Sequence, residues 1–120
     1  MDNEQSCKNN VVIDWELSMK LAGDKRDLAS ELLVVFLKSL ITDVQEICKL
    51  KSENNIPELL KHLHKLHGAT CYVGLPRLKK TICTLETALK QGDINDFKQH
   101  FSDFEFEVQQ VLEQAPKVLE

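Results

Sequence analysis

The stretch LLVVFLKSLI, residues 32–41, decides the fold, because every position in it except Lys38 and Ser39 is apolar. A helix on the surface of a globular protein carries an apolar arc of little more than about 100°. Here the apolar side chains cover far more than half of the helix circumference, so the helix must pack against several partners. The surplus at Val34, Leu37 and Ile41 is expected to be covered by a short preceding helix or by another protein.

The rest of the chain has the same helical pattern. Apolar residues recur every three or four positions from about Ile13 to about Ala115, and no segment alternates with the period of two that strands show. Glycine or proline falls near each break, at Gly23, Pro57, Gly74, Pro76 and Gly92. This pattern predicts an all-α protein: an antiparallel up-down-up-down four-helix bundle with a short additional N-terminal helix.

Capping residues and helix breakers predict the boundaries. The first three helices are predicted over about 14–22, 25–52 and 57–73, and the fourth and fifth begin at about 76 and 93. Asp14 and Asp24 are the predicted N-caps of the first two helices. Residues 1–10 are expected to be a flexible linker or a vector-derived remnant, and residues 11–118 the bundle. The predicted core face of the fifth helix comprises Ile94, Phe97, Phe101, Phe104, Val108, Val111 and Ala115.

Composition limits the functions that the chain can have. Fifteen basic against nineteen acidic residues give a net charge of -4, whereas general nucleic-acid binding requires a basic surface. No apolar run approaches the roughly 20 residues needed to cross a bilayer, so we expect a cytoplasmic protein without direct membrane contact. Four cysteines form no zinc pattern and are expected to be free thiols: Cys7, Cys48, Cys71 and Cys83.

The third helix contains HKLHG, residues 64–68. The predicted core side of this helix comprises Leu59, Leu63, Leu66, Thr70 and Val73. His64 lies on the opposite side, and a solvent-exposed imidazole has a free lone pair that can attack phosphorus. Gly68, one turn further on, costs about 1 kcal/mol relative to alanine. Either another molecule approaches closely at Gly68, or a neighbouring helix packs against it.

Glu86, on the fourth helix, is the second candidate for the site. It lies at the edge of that helix's apolar stripe. If its carboxylate accepts a hydrogen bond from one ring nitrogen of His64, it fixes the tautomer and stabilises the positive charge that develops when the other nitrogen attacks. The alternative is that His64 and Glu86 are solvated surface residues with no relationship.

The run HKLHGATCYVGLPRLKKTICTLE, residues 64–86, resembles the signature of histidine-containing phosphotransfer (HPt) domains. In that signature Lys-Gly follows the histidine after one helical turn, a second glycine comes later, and a Leu-Glu or Leu-Gln pair ends the motif. The matching residues are His64, Gly68, Gly74, Leu85 and Glu86. Residues 11–37 are also similar to the start of the C-terminal HPt domain in hybrid sensor kinases of the BarA and GacS type, so the resemblance covers nearly the whole chain.

The resemblance implies a phosphorelay module of a two-component system. His64 would accept a phosphoryl group from a receiver-domain aspartate and pass it to the aspartate of a response regulator, without autonomous turnover and without a cofactor of its own. The chain has no P-loop and the third helix has no acidic cluster, so Mg²⁺ is expected on the partner receiver. We expect a monomer whose parent is a hybrid sensor histidine kinase with this domain in the cytosol.

One position departs from the signature, because His67 stands where the family usually has lysine. An imidazole is only partly protonated near neutral pH, so His67 is expected to be a pH-dependent accessory, with modification of His67 itself as the alternative. In this family receivers dock on an apolar surface beside the histidine. The expected docking residues are Leu33, Val34, Leu37, Ile41, Leu60, Cys71, Arg77 and Lys79, and packing inside the bundle is the alternative for those of the second helix.

Two other functions remain open from the residues. His64, His67 and Cys71 share one helix face with spacing suited to a metal ion, although a fourth ligand would have to come from elsewhere. The bundle could also serve interaction alone, without accepting a phosphoryl group. A Ser-His-Asp or Cys-His enzyme is disfavoured, because the interior of a helix has no free backbone N–H groups for an oxyanion hole.

Overall fold

A computed structural model describes residues 11–119, and within this range the chain forms five α-helices and no strand. They are α1 (Trp15–Leu21), α2 (Arg26–Ser52), α3 (Ile56–Ala69), α4 (Pro76–Gln91) and α5 (Ile94–Leu119), with a 3₁₀ turn at Thr70–Tyr72. The predicted all-α bundle with a short first helix is confirmed. None of these helices is both long and apolar enough to cross a membrane.

Helices α2 to α5 form the four-helix bundle. Each packs against the next one along the chain, and short connections make neighbouring helices antiparallel. The bundle closes where the Lys51 ammonium, near the end of α2, lies 4.6 Å from the centre of the Phe101 ring on α5. The largest fully buried side chains are Phe104, Leu33, Leu40, Ile47, Leu59, Leu63, Leu66, Leu75, Leu78, Ile82, Leu85 and Val111.

The predicted core side of α3 is confirmed, although the bounds of this helix differ from the prediction. The buried residues include Leu59, Leu63, Leu66, Thr70 and Val73. The helix begins one residue early, after Asn55, whose side-chain oxygen accepts a hydrogen bond from the Glu58 N–H at 3.4 Å. It ends at Ala69 because the chain tightens into the 3₁₀ turn and becomes extended at Val73 before reaching Pro76.

Two predictions at helix ends are wrong. Asp24 does not cap α2, because its backbone is left-handed (φ 64°) and its N–H donates to the Met19 carbonyl at 2.7 Å, which closes α1 instead. Lys25 precedes α2 without a capping side chain. Ile94 is 69% exposed rather than part of the core. It is the first residue of α5 and lies at the end of the bundle, one turn before the first buried residue, Phe97.

The short helix α1 is fastened to the loop between α3 and α4. Asp14 caps α1 as predicted, since its carboxylate accepts from the Leu17 N–H at 3.1 Å. The Asp14 N–H donates to the Gly74 carbonyl at 2.7 Å, and the Gly74 N–H donates to the Ser18 hydroxyl oxygen at 2.8 Å. A Cβ at Gly74 would collide with the Asp14 carbonyl and with Ser18. Glycine is therefore needed at this position to let α1 approach.

Candidate functional site

His64 projects from α3 into solvent, with a side chain that is 78% exposed. Its Nδ1 lies 3.1 Å from Oε2 of Glu86 on α4, so the pairing predicted from the sequence is present. In the neutral tautomer that carries its proton on Nδ1, the ring donates to this carboxylate. The lone pair of Nε2 is then free to react.

Glu86 is a largely buried carboxylate whose side chain is only 10% exposed. Its Oε2 also lies 3.4 Å from Nζ of Lys90, one turn further along α4. A carboxylate removed from water requires partners that compensate its charge, and here His64 and Lys90 provide them. Lys90 was missed in the sequence, although a glutamate followed by a lysine four residues later is a recognisable helix pair.

Gly68 leaves open space next to His64. It is exposed, and a Cβ at this position would meet nothing within 4 Å outside its own helix backbone. Packing against a neighbouring helix therefore does not explain the glycine. The open space is consistent with the other explanation, the close approach of another molecule.

A groove of about 600 Å³ runs beside the site. The residues that line it include Leu17, Leu21, His67, Cys71, Lys79 and Cys83. We refer to it as the α1–α4 groove, because it lies between α1, the end of α3 and α4. It combines exposed apolar and basic side chains. Leu17 and Leu21 were missed in the sequence, although their spacing of four on a short helix indicates an apolar pair on one side.

An exposed apolar strip runs along α2. Val34, Ile41 and Cys48 are spaced by seven residues and share one side of α2. The pKa of the Cys48 thiol is raised first by burial and then by the Glu105 carboxylate on α5. Val34 and Ile41 are 36% and 51% exposed, and their docking role stays a prediction.

The docking prediction for Leu33 is wrong, and those for Leu37 and Arg77 stay predictions. Leu33 is completely buried in the core, and Leu37 is half-buried and packs against it. Arg77 points towards α5, where its guanidinium donates to Oε2 of Glu107 at 2.7 and 3.2 Å. This contact between helices occupies Arg77. Of the other predicted docking residues, Leu60 is half-buried, and Cys71 and Lys79 are exposed.

The metal-binding alternative gains no support from the geometry. Within residues 11–119, no three His, Cys, Asp or Glu side chains lie where they could hold one metal ion. The grouping of His64, His67 and Cys71 on one helix face therefore does not form a site. Cys48, Cys71 and Cys83 are free thiols, as expected. Cys7 and the predicted linker 1–10 lie outside the described residues.

Comparisons with known proteins identify the family of the chain. The model of the Hpt domain family matches residues 31–117. The signal transduction histidine-protein kinase BarA of Shigella flexneri is 34% identical over an alignment of 122 positions, which covers 98% of this chain and 13% of that protein. The sensor protein GacS of Pseudomonas syringae pv. syringae is 38% identical over 82 residues, which are 68% of this chain and 9% of that protein.

A solved structure extends the likeness to three dimensions. The crystal structure of the HPT domain from the Hpt sensor hybrid histidine kinase from Shewanella matches with a TM-score of 0.80 and 31% identity. The match covers 90% of this chain and 93% of that one. The chain belongs to the Hpt domain family, the histidine-containing phosphotransfer domains. It spans only 9 to 13% of the length of the curated sensor kinases it matches.

Proposed function

We propose that this domain is a phosphotransfer module of a two-component phosphorelay. His64 accepts a phosphoryl group from the aspartate of a receiver domain and passes it to the aspartate of a response regulator. The observation that carries the proposal is the pair of His64 and Glu86. One ring nitrogen is held by a largely buried carboxylate, while the ring itself is exposed to a partner.

This pair suits attack on phosphorus by Nε2. Nδ1 keeps its proton and donates a hydrogen bond to Glu86. The lone pair of Nε2 therefore forms the N–P bond. The P–O bond to the receiver aspartate breaks, and its electron pair returns to that carboxylate. The imidazole of His64 gains positive charge, which Glu86 stabilises. Transfer to the response regulator reverses these steps, because it converts the phosphoimidazole of His64 back into an acyl phosphate.

The partner is expected to contribute the metal ion. Phosphoryl transfer depends mainly on positioning and on neutralised phosphoryl oxygens. Glu86, the carboxylate next to His64, is already paired with the imidazole and with Lys90. We therefore assign Mg²⁺ to the receiver domain. The domain then acts as a relay intermediate without turnover of its own.

The receiver is proposed to dock over the exposed face of α3 and the α1–α4 groove. Leu17 and Leu21 supply apolar contact area in the groove, and Lys79 supplies basic charge. This combination complements the acidic surface around a receiver aspartate. The open space at Gly68 allows the partner's backbone to approach His64.

His67 is proposed to assist the transfer from the groove side. It lies one turn from His64 on α3 and is half-buried. A protonated imidazole can meet phosphoryl oxygens. We further propose that the domain works in the cytoplasm as a monomeric unit, either alone or as the C-terminal part of a hybrid sensor kinase.

Incubation with a phosphorylated receiver domain tests the proposal. We expect acid-labile, alkali-stable label on the wild type and on His67→Gln, and no label on His64→Gln. Circular dichroism of each variant controls for loss of fold. Label that persists in His64→Gln and disappears in His67→Gln would move the acceptor to His67. A wild type that no receiver labels would leave an interaction-only bundle.

A further inference from the structure

Lys90 and His64 both contact the carboxylate of Glu86. Oε2 of Glu86 lies 3.4 Å from Nζ of Lys90 and 3.1 Å from Nδ1 of His64, so the ammonium and the imidazole meet at one oxygen. The Lys90 side chain is 61% exposed and free to reorient, whereas Glu86 is held by burial.

Phosphorylation of His64 would move the stronger attraction for Lys90 from the Glu86 carboxylate to the phosphoryl group. A phosphoryl group brings close to two negative charges and several strong acceptor oxygens. The ring that carries it becomes more positive and binds the Glu86 carboxylate more strongly. The carboxylate of Glu86 then attracts Lys90 less strongly, while the phosphoryl oxygens attract a cation more strongly. A lysine that can swing from the carboxylate to these oxygens exchanges one charge-assisted contact for another.

The other basic groups around this point are placed differently. On α3, His67 carries a charge that depends on pH, and Lys61 is engaged in an ion pair on its own helix. On α4, Lys79 lines the groove, about two turns before the carboxylate. Lys90 is the permanent cation whose contact with Glu86 places it beside His64.

We propose that Lys90 is the cation that neutralises the phosphoryl group on His64, and that Glu86 holds it ready until the ring is phosphorylated. This inference rests on the proposed function of His64 as the acceptor. It assigns the permanent positive charge of the site to α4. The charge from α3, at His67, then acts as a pH-dependent supplement.

Phosphorylation by phosphoramidate, a small donor that needs no protein partner, tests this role separately from the relay. Lys90→Met should be phosphorylated on His64 about fivefold more slowly than the wild type, because one exposed cation is lost. Lys90→Arg should keep the wild-type rate. The matched control is Lys38→Met, which removes an exposed lysine from α2 and should change nothing. Thermal unfolding separates a lost cation from a lost fold, and Lys90→Gln serves if Lys90→Met is unstable.

A rescue variant sharpens the test. Adding His67→Lys to Lys90→Met should restore the rate, because the lysine supplies a permanent charge from α3. Equal rates for Lys90→Met and wild type would overturn the proposal.

The two donors distinguish the failure of each proposal. Labelling of wild-type His64 by phosphoramidate but by no receiver would overturn the relay, while the role of Lys90 would still be decided by its variants. Failure of both donors to label His64 would overturn both proposals. Labelling by both donors with an unaffected Lys90→Met would overturn the role of Lys90 alone.

Discussion

Two surfaces of the bundle expose side chains of different chemistry. At the seam between α3 and α4, the exposed His64 is held by the buried carboxylate of Glu86, and Gly68 leaves space beside it. On α2, Val34 and Ile41 are 36% and 51% exposed and apolar. Exposed apolar area alone therefore does not locate the site. A nucleophile needs a group that orients it, and a partner must dock where that pair lies.

The largest effect should come from breaking the pair of His64 and Glu86 at the seam between α3 and α4. Glu86→Ala leaves Nδ1 of His64 without an acceptor and allows the ring to rotate. Transfer from a phosphorylated receiver should fall about tenfold to a hundredfold, by analogy with other partners that orient a reactive histidine. Glu86→Gln keeps an acceptor oxygen and should lose less. A wild-type rate in Glu86→Ala would mean that the carboxylate does not assist transfer.

A second effect should come from displacing α1, which lines the groove beside the site. Gly74→Ala places a methyl group against the Asp14 backbone and Ser18, and should cost about 1–3 kcal/mol in the free energy of unfolding measured with urea. Trp15 fluorescence should report the displacement. Transfer from a receiver should fall while phosphoramidate labelling of His64 persists. Unchanged stability would contradict the close packing of α1 on this loop.

A glutamate placed in each of the two apolar surfaces, the α1–α4 groove and the strip on α2, compares them directly as docking surfaces. Leu21 in the α1–α4 groove and Ile41 on α2 are 44% and 51% exposed, so both can be replaced without emptying the core. Leu21→Glu should weaken receiver binding about tenfold, measured by calorimetry, because it sets a negative charge against an acidic partner. Ile41→Glu should leave the Kd unchanged. The opposite order of effects would move the docking surface to α2.

The smallest effect concerns the glycine beside the histidine. Gly68→Ala should raise the free energy of unfolding by about 1 kcal/mol, since alanine favours the helix and the added methyl group meets open space. The same methyl group should slow transfer from a receiver but not from phosphoramidate. A variant that is more stable and transfers at the wild-type rate would remove close approach as the reason for Gly68.

Much of the fold is predictable because helical periodicity and helix breakers are local properties. The buried Leu63, the exposed His64 and the cap at Asp14 all follow from spacing along one helix. The errors at Asp24 and Ile94 lie at helix ends, where a left-handed residue or the limit of the core overrides the pattern. Such ends depend on how neighbouring elements meet.

The site was predictable only in part. His64 and Glu86 follow from a spacing that places them on facing helices. Periodicity gives directions around one helix but not the order of helices around the bundle, so Ile41 could not be assigned to a seam. The helix pair formed by Glu86 and Lys90 was visible in the sequence. Only the structure brings His64 and Lys90 to the same carboxylate oxygen.

The central claim is that Nε2 of His64 carries the phosphoryl group while Nδ1 stays bonded to Glu86. Two-dimensional NMR of the phosphorylated protein with ¹⁵N-labelled histidine tests it, because coupling to phosphorus identifies the nitrogen in the N–P bond. We predict coupling to Nε2 of His64 and a retained proton on Nδ1. Coupling to Nδ1 of His64, or to either nitrogen of His67, would contradict the account.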